Sequence, residues 1–309
     1  MKTLLKRLGV LFLTGIGLGL FCGAFILHLT AAPAGPIQIS LLQSPQEIDD
    51  ITGLLERHMA DPSEAALLRR AMEARGGKPE HRFEPQSFET PSEAAAYLHT
   101  LRDPSRLGWQ INCFDTMLIV TNRLMTMAES SSPSRVFSPQ RYLRFSDTAE
   151  QYRDAIYPEG EWLAERYIVC TGQQRSDQAI ALERVLFSKL PIPRNVAGEG
   201  RGLDLQQLLD ANWATHGVVF PERMGVVLFH HVSWGVFWLE TVHTGVLLPN
   251  RNGTFTYVEK TGGEGVFIRA DLNSQRELVD LLAYRRMGTK RFVSVNGEII
   301  GSVPVLASP

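Results

Sequence analysis

The stretch "HTGVLLPNRNGTFTYVEKT", residues 243–261, reads as two apolar runs rich in Val, Leu, Phe and Thr around a polar Pro/Asn/Gly turn, the pattern of a β-hairpin. The length of its loop decides what the hairpin presents. With a five-residue loop from Pro249 to Gly253, Leu248 pairs with Thr254 and the register carries back until His243 faces Glu259, both side chains on one side of the sheet. A four-residue loop pairs His243 with Lys260 instead and turns Glu259 away, because a one-residue slip inverts every side chain.

Working outward, "MGVVLFHHV" and "WGVFWLETV" precede the hairpin and "GVFIRAD" follows it, all short runs that read as successive antiparallel strands. "NSQRELVDLLAYRR" inserts a capped helix, and "RFVSVNGEIIGSV" closes with a hairpin whose Asn296-Gly297 suits a two-residue type I′ turn. The adjacent aromatics Phe237 and Trp238 imply that both sheet faces bury something.

Upstream of residue 225 the period is helical. "DPSEAALLRRAMEARGG" carries Asp61 as N-cap, Pro62 at the first helical position, Glu64 closing a capping box and Gly76-Gly77 as a stop; Thr90, Pro91 and Glu93 repeat the device. Residues 137–215 read mostly as a helical insertion, broken by the glycine-rich "PIPRNVAGEGRG", which lacks the preceding strand and Lys-Ser pair of a phosphate loop. Helices first and sheet afterwards define an α+β class, and residues 45–309 are expected to form one such domain.

The N-terminus places Lys2, Lys6 and Arg7 before an uncharged run from Leu8 to Leu29, and a helix needs about 20 apolar residues to cross a bilayer. Residues 1–30 are thus expected to be a transmembrane anchor or signal, with Ala32-Pro33-Ala34 as a possible cleavage point and 31–44 as a linker. Basic residues before the run keep that end cytoplasmic, which puts the body outside the inner membrane. A net charge of −2 gives no basic footprint for nucleic acid.

"GWQINCFDTMLIVTNRL", residues 108–124, supplies the other half of the chemistry. Asn112 is a good N-cap with Asp115 three residues on, so Cys113 takes the first position of a helix whose apolar stripe runs from Phe114 through Met117, Leu118, Thr121, Leu124 and Met125 to Ala128. The positive end of a helix dipole there favours a thiolate over a thiol. Cys113 is therefore the candidate nucleophile, with a structural disulfide to Cys170 in an oxidising compartment as the alternative. His230 and His231 are adjacent in a strand and face opposite sides, and no HxH, HExxH or CxxC spacing points to a metal or cofactor. That leaves His243 as the candidate base and Glu259 as its orienting partner.

A cysteine opening a buried helix, then a histidine opening a strand, then a polar residue on the next strand resembles the papain-like cysteine hydrolases, especially the NlpC-type branch. "INCFDTMLI" and "HTGVLL" with "GTFTYVEKTGGEGVFIRADLNSQRELVDLL" are also similar to a family of exported bacterial proteins with that core. The resemblance implies a papain-like core, its nucleophile helix packed on an antiparallel sheet. It implies Cys113 as nucleophile, His243 as base and acid, Glu259 as orienting partner, no cofactor, and a peptide or peptidoglycan-like substrate. Family members carry an oxyanion glutamine several residues before the cysteine; here Leu107 stands six before, and Gln110, three before, is the candidate donor. The alternative expectation is a catalytically inactive domain of the same fold, serving as an envelope binding or scaffold module.

Overall fold

The computed structural model describes residues 35–42, 44–73, 85–100, 113–128, 177–187, 190–192, 205–233, 238–261, 266–285 and 290–303. The chain divides into two units, Met1–Pro36 and Ile37–Pro309, and the described strands and helices all belong to the second. Its strands are β1 (Ile37–Leu41), β2 (Gln86–Phe88), β3 (Leu190–Pro191), β4 (Gly225–Ser233), β5 (Trp238–Pro249), β6 (Phe255–Lys260), β7 (Phe267–Leu272), β8 (Lys290–Val295) and β9 (Glu298–Ser302). The helices are α1 (Pro45–Glu56), α2 (Ala65–Glu73), α3 (Pro91–Thr100), α4 (Cys113–Val120), α5 (Asp177–Leu186), α6 (Leu205–His216) and α7 (Gln275–Leu281), with 3₁₀ turns at Pro62–Glu64 and Leu282–Tyr284. The fold is α+β.

All strands join one antiparallel sheet in the order β2-β1-β7-β6-β5-β4-β8-β9, with β3 paired to β5. The strands are not purely sequential neighbours. β1, which falls in the stretch expected to be a linker, is a sheet strand between β2 and β7, and its apolar Ile37, Ile39 and Leu41 all turn inward. Three alternating positions were too short a signal beside Pro33 and Pro36.

Both faces of the sheet are buried, which is why its central strands read as nearly continuous apolar runs. Val226, Leu228, Val246, Leu248 and Val258 face one core with α1, α2, α4, α5 and α6. Val227, Phe229, Leu247, Tyr257, Ile268 and Val293 face a second core under α3 and α7. Strand alternation sorts the two sets.

Several local expectations hold. Thr90 and Glu93 exchange backbone and side-chain hydrogen bonds as a capping box. Asn296 and Gly297 form the β8–β9 turn at φ +51° and +85°, and the Asn296 side chain also bonds Val226, Pro221 and Met224, tying the hairpin to the start of β4. Others do not. Asp61 is the N-cap and Pro62 the first helical residue as expected, but the capping box does not form, because Glu64 turns away to accept from Asn122; the Gly76-Gly77 stop lies outside the described residues. α4 stops at Val120 although the apolar stripe continues, and Arg123 just beyond takes a left-handed backbone conformation at φ +61°, which no helix continues through. "WLETV", the described part of "WGVFWLETV", and "HTGVLLP" are one twelve-residue strand, β5, so His243 lies inside a strand and does not open one. A bulge marks the junction: Phe229 pairs with His243 and His230 with Thr241, leaving Val242 as the extra residue.

The proposed anchor at 1–30, residues 31–34 and 43 of the expected linker, and 137–176, 188–189 and 193–204 of the insertion lie outside the described residues. The remainder of the insertion includes α5 and α6. Among the described residues no helix is long and apolar enough to cross a membrane.

Gly245 shows how tightly the second core is closed. The Tyr257 ring lies across it, 2.6 Å from where a β-carbon would stand. We expect Gly245→Ala to lower unfolding stability by about 1–3 kcal/mol, the usual cost of overpacking, measured by urea denaturation.

Candidate functional site

The site grows from the junction of β5 and β6. Their ladder runs from Pro249↔Phe255 to Val246↔Val258, closing on a five-residue loop, Asn250–Thr254, that starts one residue later than the sequence suggested. Leu248 therefore pairs with Thr256, not Thr254. The offset from the expected register is two residues, so the face is preserved: the register carried on sets His243 opposite Thr261, with Glu259 diagonal to it on the same side. His243 Nε2 hydrogen-bonds Glu259 Oε2 directly, and both side chains are buried.

Glu259 is the centre of a larger cluster. Its Oε2 also accepts from Tyr257 Oη at 2.7 Å and Arg285 Nη2 at 3.0 Å, while Oε1 accepts from Tyr284 Oη. The Arg285 guanidinium carbon lies 5.0 Å from the centre of the Tyr284 ring. Burial works to raise the Glu259 carboxyl; Arg285 above all, then His243 and the Tyr284 hydrogen bond, outweigh it and hold the group down to about 2. Burial, reinforced by Glu259, pushes the Tyr257 phenol well up, so it stays protonated as a donor.

Cys113 is the first residue of α4, as its position after Asn112 suggested, and it is a free, buried thiol. Beyond Val246 and Val258 both strands continue without the ladder, and it is here that the Thr244 backbone amide donates to the sulfur. Thr244 follows His243 in the chain, so the first turn of α4 meets the strand beside the imidazole. Arg285 and Lys260 draw the thiol toward ionisation and Glu259 opposes it, but burial dominates and pushes it up to about 11. This corrects the expectation of a thiolate favoured by the helix start: loss of hydration at a site only 6% exposed outweighs a helix dipole. At neutral pH the resting sulfur is a thiol.

The structure therefore brings His243 and Glu259 into contact and sets Cys113 against the neighbouring residue. Gln110 and Cys170 lie outside the described residues. Sequence reading missed Tyr257, Tyr284 and Arg285. Tyr257 was two residues from Glu259 and thus on its face of the strand; nothing in "LLAYRRM" marked Tyr284 and Arg285, which reach Glu259 only through the sheet packing.

Among the described residues, His230, His231 and His58 have structural environments. His230 bonds Ser294 and Thr241 at 2.7 and 3.1 Å, and burial lowers its imidazole to about 3. His231 meets Glu240, and His58 meets the Arg223 carbonyl. Among the described residues no group of three or more His, Cys, Asp or Glu side chains is placed to hold a metal. A shallow groove of about 370 Å³ between α6 and the β8–β9 turn is lined by Gln206, Trp213, Phe220 and Asn296 and by none of the three expected site residues. Comparison of the chain with protein-family models, with curated proteins and with solved structures gives no match.

Because the Glu259 carboxyl is held below its ordinary 4.5, it contributes stability above that pH, and the contribution fades as pH falls from about 4.5 toward 2. We expect about 3 kcal/mol of wild-type stability to vanish across that window. Glu259→Gln should remove this pH dependence and cost about 3–5 kcal/mol at pH 7 by leaving Arg285 buried without its counter-ion, as read by denaturant titrations from pH 2 to 7.

Proposed function

We propose that the chain is an exported, membrane-anchored thiol hydrolase with a papain-like core, cleaving an amide or ester through a thioester, with cell-wall peptide as its substrate class. The observation that carries this reading is the bonded His243–Glu259 pair, with the next residue, Thr244, meeting the helix-borne Cys113 through its backbone amide. An imidazole fixed through Nε2 by a carboxylate has Nδ1 as the nitrogen that takes a proton, the arrangement that nucleophile activation requires. A helix carrying a cysteine at its first residue, packed on an antiparallel sheet, is consistent with the resemblance set out above.

In this mechanism the Cys113 proton passes to His243 as the sulfur attacks the substrate carbonyl carbon. The C–S bond forms, the carbonyl electrons move onto oxygen, and collapse expels the amine or alcohol, which takes the proton from His243. Water then attacks the thioester with His243 again as base, releasing the acid and restoring the thiol. A thiol held up at about 11 makes the base indispensable: attack proceeds by concerted removal of the proton, without a standing thiolate. The Cys113 amide and Gln110 are the candidate oxyanion donors.

The burial of both Cys113 and His243 favours a second reading, an inactive domain of the same fold that binds or scaffolds in the envelope. One experiment separates the two. The full chain in detergent is incubated with peptidoglycan stem peptides, and products and protein adducts are followed by mass spectrometry. Under the hydrolase reading, Cys113→Ala abolishes turnover and His243→Ala lowers kcat/KM by about 10²–10⁴-fold. Equal product yield from wild type and Cys113→Ala, with no acyl adduct on Cys113, sinks it.

A further inference from the structure

We propose that Arg285 is a positioning residue: by sharing the Glu259 carboxylate with His243, it keeps the imidazole uncharged and so able to accept the Cys113 proton. The inference rests on the hydrolase reading and adds a residue to it. A buried imidazole against an unshared carboxylate is drawn toward imidazolium, and an imidazolium cannot act as a base. Here the carboxylate is not unshared. Arg285 Nη2 lies 3.0 Å from Oε2, the same oxygen that His243 and Tyr257 use, and Tyr284 occupies Oε1. Arg285 brings a full positive charge, and the two phenols spread what remains, so little negative charge is left to protonate His243.

The guanidinium is built into place. It is 3% exposed, rests over the Tyr284 ring, and leaves the chain at the end of the 3₁₀ turn, where the Arg285 amide donates to the Leu282 carbonyl. Arg291 donates to the Arg285 carbonyl, anchoring the same residue from β8. Arg285 Nε has no hydrogen-bond partner among the described residues, so the residue is kept at the cost of an unmet donor. Such a cost suits a group that sets charge better than one that only fills space. Arg285 is also the strongest electrostatic pull on the Cys113 sulfur, so the cation that restrains the base favours the developing thiolate.

The charged and titratable groups around the His243–Glu259 pair are Glu259, which His243 bonds, Tyr257, Tyr284 and Arg285, which share that carboxylate, and Lys260 and Cys113 on the adjoining β6 and α4. The helices on that face add His99 from α3 and Glu277 and Asp280 from α7. Glu277 is engaged by Asn273 in the α7 cap. Arg285 is the cation bonded to the carboxylate that His243 uses.

The test is the pH dependence of Cys113 alkylation by iodoacetamide in the full chain, with peptide mass spectrometry separating Cys113 from Cys22 and Cys170. Wild type is expected to show a rise in rate governed by His243, and Arg285→Gln to move its midpoint up by about one pH unit or more. Arg285→Lys, which keeps the charge, should return it close to wild type, a rescue that a purely structural role does not predict. An unmoved midpoint in Arg285→Gln, with His243→Ala still suppressing the rise, overturns the role of Arg285 and leaves the hydrolase reading standing. A profile indifferent to His243→Ala overturns the hydrolase reading itself. Because loss of a buried cation can unfold a protein, the wild-type chain supplies a second measurement: NMR of ¹⁵N-histidine-labelled protein should show His243 neutral at pH 7.5, and a charged ring there overturns the proposal.

Discussion

The structure is organised around the buried carboxylate of Glu259. Glu259 is wholly inside the protein, where a lone carboxylate would cost several kcal/mol, and every part of its surroundings answers that cost. A guanidinium, two phenols and an imidazole converge on its two oxygens from β5, β6 and the turn after α7. Because these donors come from segments far apart in sequence, the carboxylate checks that the sheet and the α7 region are assembled in the correct register. A slip of one residue between β5 and β6 would turn either the acid or the imidazole to the wrong face and strand the arginine.

The same charge divides labour across the sheet. On the α4 side the central strands present Val246, Leu248 and Val258, and the apolar Met117, Leu118, Ile119 and Val120 of that helix join the same core. On the other side the same strands present Tyr257, Glu259 and His243, where the polar cluster continues an otherwise apolar core. Cys113 meets the strand where the β5–β6 ladder has ended, taking the Thr244 amide as its donor. Its high affinity for its proton and the depressed carboxyl nearby are two results of one cause: burial penalises both ions, and only the carboxylate has enough donors to overcome the penalty.

Much of this was legible in the residues. The α+β class, the capping box at Thr90, the Asn296-Gly297 turn and the start of α4 at Cys113 followed from local signals, because caps and two-residue turns are decided by a few neighbouring residues. The pairing of His243 with Glu259 was reached through a register two residues out, and survived because strand faces repeat every second residue. The errors had a common character. β1 was hidden in proline-rich sequence, β5 absorbed a break that its bulge made look like a turn, and α4 ended before its hydrophobic stripe did. Tyr284 and Arg285 were unreadable because their importance lies in which carboxylate they reach across the fold.

β1 also bears on how the chain acquires its shape. Its position between β2 and β7 joins Gln38 to Asp271, so a strand near the beginning of the domain waits for one near its end. Long-range pairings of this kind close slowly, since loop entropy must be lost before contacts repay it. A ribosome making this protein releases β1 long before its partner exists, and the sheet cannot be completed until synthesis has nearly finished.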